Sequence, residues 1–170
     1  MATGRIILPA LAWFPLDGST DNAAAVLDFV QSTGGPPGPR YPRWGFAQTT
    51  APDDPENICV VFRLPDDYAS LPKLKIDWYT AGTDTFAFYS YMAALSAGDA
   101  VASAALDSAV QSSPTTNNGA GELNQAECDF QLYDDDLAAG DLVALVLTRP
   151  NAGLAEDVYF LGGIFEYTTT

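Results

Sequence analysis

Lys73-Leu-Lys-Ile-Asp-Trp-Tyr79 changes character at every step. A strand turns successive side chains to opposite faces, so this pattern puts Leu74, Ile76 and Trp78 on one side and Lys73, Lys75 and Asp77 on the other. A strand that is dry on one face and wet on the other belongs to an antiparallel sheet packed on a core. The same grammar recurs on both sides. Ile58-Cys-Val-Val-Phe-Arg-Leu64 aligns Ile58, Val60, Phe62 and Leu64, and Glu122 to Tyr133 aligns Ala126, Cys128, Phe130 and Leu132. Asp84 to Leu95 is a long strand rich in Phe and Tyr. Asp141-Leu-Val-Ala-Leu-Val-Leu-Thr-Arg149 is apolar on both faces, as a central strand must be, and Asp157 to Thr168 closes the chain.

Turn residues separate these runs: Pro65-Asp-Asp67, Ala81-Gly-Thr83, Ala139-Gly-Asp141 and Pro150-Asn-Ala-Gly153. Many strands without intervening helices predict an all-β antiparallel β-sandwich, jelly-roll-like in strand number. The Ala/Ser-rich stretch 93–120 fits loops around one irregular strand, and no internal repeat is present.

The first quarter of the chain reads differently. Residues 5–14 are apolar around Pro9, a short strand or an extended arm. Asp21 to Gln31 is expected to form one short helix, with Asp21 as N-cap and a weak stripe of Ala24, Leu27, Asp28 and Val30. Gln31 to Arg43 holds prolines and glycines too densely for a helix or an interior strand, and is an extended spacer or a surface loop. The organisation expected is therefore an N-terminal arm with its spacer over 1–43 and a sandwich domain over 44–170. The arm is expected to carry much of any contact between subunits. Its charges, Arg5, Arg40 and Arg43 against Asp17, Asp21 and Asp28, cancel. The whole net charge of -15 therefore falls on the remainder.

That charge repels nucleic acid and anionic membrane surfaces, whose capture depends on Lys and Arg. A chain of 170 residues suits one domain and can bury a sizeable core unaided by metal or disulfide. The apolar run near the N-terminus is too short for a signal peptide, so folding in a cytoplasm is expected.

Histidine is absent, which removes the commonest general base and most zinc and iron sites. Cys59 and Cys128 fall within strands and are expected to be buried, inert thiols. Asp134-Asp-Asp136 with Asp141, and Asp53-Asp54 with Glu56, are clusters that calcium could use, but neither has the alternate-residue spacing of a calcium loop, and Asp also serves turns. Two carboxylates could serve a glycosidase, but no pair is shown to face across a cleft. No catalytic, cofactor or metal residue is assigned. The aromatics Tyr41, Trp44, Tyr68, Trp78, Tyr79, Tyr89 and Tyr91 fill a core or an interface, or, where they point outward, stack on sugars.

Gly4-Arg-Ile-Ile-Leu-Pro-Ala10, Val61-Phe-Arg-Leu-Pro-Asp-Asp-Tyr-Ala-Ser70, Leu74-Lys-Ile-Asp-Trp-Tyr-Thr80, Leu137-Ala-Ala-Gly-Asp-Leu-Val-Ala-Leu-Val-Leu-Thr-Arg149 and Leu161-Gly-Gly-Ile-Phe-Glu-Tyr-Thr-Thr-Thr170 together resemble small virion structural proteins of tailed bacteriophages. The resemblance is weakest over 15–43 and 96–120. It implies a virion β-sandwich, a capsid decoration (cement) protein assembled in the host cytoplasm. Its partners would be copies of itself, typically as a trimer, and the major capsid protein, with no nucleic acid and no membrane. It carries over no active-site residue. The other expectation is a recognition module of a tail or head fibre that binds a host surface or carbohydrate. An enzyme is the poorest fit.

Overall fold

The computed structural model describes residues 2–16, 25–31, 40–46, 56–83, 87–101, 105–112, 118–149 and 157–170. Residues 32–39 of the expected Pro/Gly-rich spacer, and Asp53 and Asp54, fall outside them, whereas Gln31 and Arg40 to Arg43 belong to strands. The strands are β1 (Thr3–Pro9), β2 (Phe14–Pro15), β3 (Val26–Gln31), β4 (Arg40–Phe46), β5 (Asn57–Arg63), β6 (Tyr68–Thr80), β7 (Tyr89–Leu95), β8 (Val110–Gln111), β9 (Asn124–Asp129), β10 (Leu142–Thr148) and β11 (Val158–Thr169). They form two antiparallel sheets. One runs β3-β4-β11-β6-β9, with β1 also paired to β11; the other runs β2-β5-β10-β7-β8. The all-β sandwich is as expected.

Both sheets turn their apolar sets inward. Leu74, Ile76 and Trp78 of β6 meet Ile58, Val60 and Leu64 from the opposite sheet in a core that also holds Phe46, Phe88, Phe130, Phe160 and Phe165. Burying each such side chain is worth about 1.5–3 kcal/mol. β10 is buried almost throughout, as befits a strand with β5 on one side and β7 on the other. Turns close where their residues allow. Tyr68 N–H returns to Pro65 O at 3.1 Å, and Gly140 takes a φ of 85° that side-chain-bearing residues avoid.

The first quarter departs from expectation. Residues 3–15 are not a detached arm. β1 pairs with β11 from Thr3↔Thr168 to Pro9↔Gly162, and Leu8, Ala10 and Trp13 are buried. Trp44 donates its indole N–H to Ala10 O at 2.8 Å, and Trp13 meets Phe160 edge-on at 4.9 Å. The physical reason is alternation: Ile6, Leu8 and Trp13 are core side chains with nowhere drier to go. The described part of the expected helix, 26–31, is strand β3, paired residue for residue with β4. Val26, Leu27, Phe29 and Val30 are β-branched, aromatic and leucine side chains, and a paired neighbour outweighs a weak helical stripe. The boundary set at residue 43 therefore falls inside β4.

Two smaller differences follow from turns. The run Glu122–Tyr133 ends as strand at Asp129 and continues as a 3-10 helix over Gln131–Asp136, which leaves Leu132 88% exposed, not inward. Of the aromatic run 84–95, residues 84–86 lie outside the described residues, and the described part is strand from Tyr89.

Candidate functional site

The outward face of the six-stranded sheet divides into two halves. Register decides both. Toward one end the alternation of β6 sends Lys73 and Lys75 outward, where Lys73 Nζ pairs with Glu127 at 2.8 Å and Asp129 at 3.4 Å. Lys75 Nζ and Arg5 Nε share Glu166, at 2.6 and 2.7 Å. The Lys75 ammonium, together with Arg5, holds the Glu166 carboxyl below its ordinary range. These charges lace β1, β11, β6 and β9 together and satisfy one another.

Toward the other end the same face is aromatic and apolar. Val30↔Tyr41, Asp28↔Arg43, Gly45↔Tyr159 and Tyr159↔Tyr79 are cross-strand partners, and partners opposite each other share a face. Tyr79 and Tyr159 stack at 4.9 Å with 24° between their planes. The Arg43 guanidinium lies over Tyr159, 3.9 Å from the ring centroid. It also donates from Nη1 to Tyr79 Oη and from Nη2 to Asp28 Oδ2, the latter at 2.9 Å. Burial alone would lower the Arg43 pKa, but these two partners raise it, and Asp28 is correspondingly held low by Arg43 and by the Phe29 N–H.

Beside this stack opens a cleft of about 420 Å³ lined by Val30, Tyr41, Tyr79, Gly121, Leu123 and Leu161. Leu161 reaches it because β11 slips register between Phe160 and Gly162, a bulge that adds one residue opposite Asp77. Tyr41 is 52% exposed and Leu123 63%. Its lining is apolar apart from the two tyrosine hydroxyls; elsewhere, Asp77 accepts from Gln125 at 3.0 Å, and Asp157 accepts from the Tyr159 hydroxyl at 3.4 Å. Apolar surface with a few placed polar groups is what a small-molecule or sugar site needs.

The aromatics singled out from the sequence separate cleanly. Trp44, Tyr68 and Trp78 are core; Tyr41 and Tyr79 meet at the cleft; Tyr89 and Tyr91 lie half-buried on the other sheet. Tyr159 was not singled out, although the inward Val158 and Phe160 on either side place it outward. Cys59 and Cys128 are buried, and burial pushes their thiols up to about 11 and about 12. Asp141 closes a loop, accepting from Ser96 Oγ and the Ala138 N–H, both at 2.8 Å. Among the described residues no group of three His, Cys, Asp or Glu side chains is placed to hold a metal ion.

No family model and no curated protein matches the chain. Solved structures do. The family 11 carbohydrate-binding module from Clostridium thermocellum, in complex with a beta-1,3-1,4-mixed-linked tetrasaccharide, aligns with a TM-score of 0.52 at 13% identity, over 97% of this chain and 96% of that one. The CBM22-1-GH10 modules of xylanase 10B from the same organism, complexed with xylohexaose, align at 0.51 and 12%, over 96% of this chain and 27% of that one. An exo-beta-agarase aligns at 0.52 and 11%, over 94% and 23%. The fold is shared with these proteins. This chain spans about a quarter of the length of the last two.

Proposed function

We propose that this chain is a non-catalytic glycan-recognition domain whose ligand lies in the cleft beside Tyr41 and Tyr79. The observation that carries it is the cleft itself, an apolar trough lined by Tyr41 and Tyr79, with the Tyr41 ring half exposed. A pyranose presents an apolar C–H face to stack on such a ring and hydroxyls to meet the tyrosine hydroxyls, and Tyr presents a rigid amphipathic surface at low entropic cost. The β-sandwich shared with carbohydrate-binding modules is consistent with it.

The setting we propose is a particle-borne adhesion module. It joins the resemblance to phage virion proteins with a surface that can take sugars. A purely structural cement role, with a trimer seated on a major capsid protein, has no specific feature of this surface in its favour. We read the domain as one that binds without cleaving: the chain has no histidine, the commonest general base.

The test is binding of the whole chain to an array of plant and bacterial polysaccharides, followed by titration calorimetry on the best ligand. Tyr41→Ala is expected to weaken that binding about tenfold or more, since stacking on an exposed ring contributes about 1–3 kcal/mol in comparable recognition by aromatic side chains. Its melting temperature should stay close to the parent's, because Tyr41 is half exposed. Absence of binding to every glycan, or binding indifferent to Tyr41, overturns the proposal.

A further inference from the structure

Edge strands invite another strand, and proteins blunt them with charge, proline or brevity. Here β2 and β8 are two residues each, β1 carries Arg5 and Pro9, and β9 carries Glu127 and Asp129. β3 is different. It is six residues long, Val-Leu-Asp-Phe-Val-Gln, paired on one side only among the described residues, with Val26, Leu27 and Phe29 at 65%, 39% and 50% exposure.

The backbone groups on its open edge can be identified. Phe29 lies opposite Pro42, which has no N–H and cannot exchange two hydrogen bonds, so this is a non-hydrogen-bonded pair. The Phe29 N–H accordingly finds its acceptor elsewhere, on the neighbouring Asp28 Oδ1 at 2.6 Å, in an exposed position. By alternation Leu27, Phe29 and Gln31 direct N–H and C=O groups to the open edge.

We propose that β3 is a homodimer seam, in which a second copy adds its own β3 antiparallel across a two-fold axis through Phe29. The strand itself selects this register. Pairing Phe29 with Phe29 of the other copy sets Leu27 against Gln31 on either side, so every outward backbone group finds a partner. It also sets Asp28 against Val30. Sliding by one residue about the axis would place Asp28 directly opposite Asp28, where like charges repel. Charge favours the same edge. β3 lies in the one part of the chain whose charges cancel, next to Arg40 and Arg43 of β4, so two molecules of net charge -15 meet there with least repulsion. The proposal keeps the intersubunit contact expected of residues 1–43 and moves it from residues 5–14 to β3.

A two-fold axis normal to the sheet keeps both outer faces on one side. Both β4 strands would then lie about 14 Å apart, three strand spacings. Two clefts would share one continuous surface, able to engage one long or repetitive ligand twice. The seam itself does not depend on the glycan reading.

The full-length chain should show a reversible, concentration-dependent dimer in sedimentation velocity. It should tighten as salt rises, because screening relieves repulsion between acidic bodies. Phe29→Glu should weaken it about tenfold or more, as expected for loss of a central anchor. Phe29→Cys should form a disulfide-linked dimer on mild oxidation, because residues facing across such a pair lie about 5.5 Å apart at Cα, within disulfide range. Val26→Cys, off the axis, should not, and native Cys59 and Cys128 are buried and do not compete. A chain that stays monomeric at near-millimolar concentration in high salt overturns the seam. So does an oligomer unmoved by Phe29→Glu, or cross-linking no faster at position 29 than at 26.

Discussion

Arg43 holds three partners at once: Asp28, the Tyr79 hydroxyl and the face of Tyr159. It thereby ties β3, β4, β6 and β11 into one wall. Such a planar, multiply bonded role suits arginine and not lysine. Gly4 shows the opposite economy. A Cβ at Gly4 would sit 2.2 Å from Tyr167 Cζ, and that ring is anchored by a hydrogen bond to Asp67 at 3.1 Å and by contact with Tyr68. Gly4→Ala is expected to destabilise the fold by about 1–3 kcal/mol, the usual cost of overpacking, measured by denaturant titration; an unchanged midpoint would mean the ring moves freely. The inward residues of β5, β6 and β9 were legible from alternation alone. The cleft was not, because Tyr41, Tyr79 and Tyr159 are far apart in sequence and meet only through the pairing of β4 and β6 with β11.

At the scale of elements, the informative case is β1. Read alone, residues 5–14 are an apolar segment that could reach to a neighbour or turn back on its own body. Pairing with β11 settles it, and Leu8 and Trp13 complete the core. Deleting residues 1–16 should therefore abolish the native state instead of leaving a folded, assembly-deficient body. Two large core side chains at about 1.5–3 kcal/mol each, with the loss of a strand's ladder and an opened face of Phe160, consume much of a typical stability of about 5–15 kcal/mol. Near-ultraviolet circular dichroism of the truncated chain checks it; a native-like spectrum and a cooperative melt would show β1 to be dispensable. β3 was misjudged for a related reason. Its helical stripe is weak, and local propensity yields to a partner strand that sequence does not display.

At the scale of the whole molecule, two sheets enclose one core, and both thiols belong to it. Cys128 and Cys59 are shielded, with pKa values pushed up to about 12 and about 11 by burial. A thiol reagent at mildly alkaline pH should therefore label them at the rate of opening of the structure, slowed in step with added stabilising osmolyte. Fast labelling of either thiol in native conditions would place it at a mobile edge. The outer surfaces divide labour. One half of the six-stranded sheet is a lattice of satisfied ion pairs, the other an aromatic cleft, and the proposed seam lies at the cleft's own edge.

What the sequence determined by itself is the all-β class, the inward sets of β5, β6 and β9, the burial of both cysteines and the lack of histidine chemistry. Each of these depends on a period of two or on residue type, and both are local. Only the tertiary structure decided that residues 3–15 complete the sandwich, that Val26–Gln31 is an edge strand among the described residues, and that three distant tyrosines stand together. Those outcomes depend on which strand lies beside which, and pairing is set by the burial of the whole apolar set at once, a quantity no single segment contains.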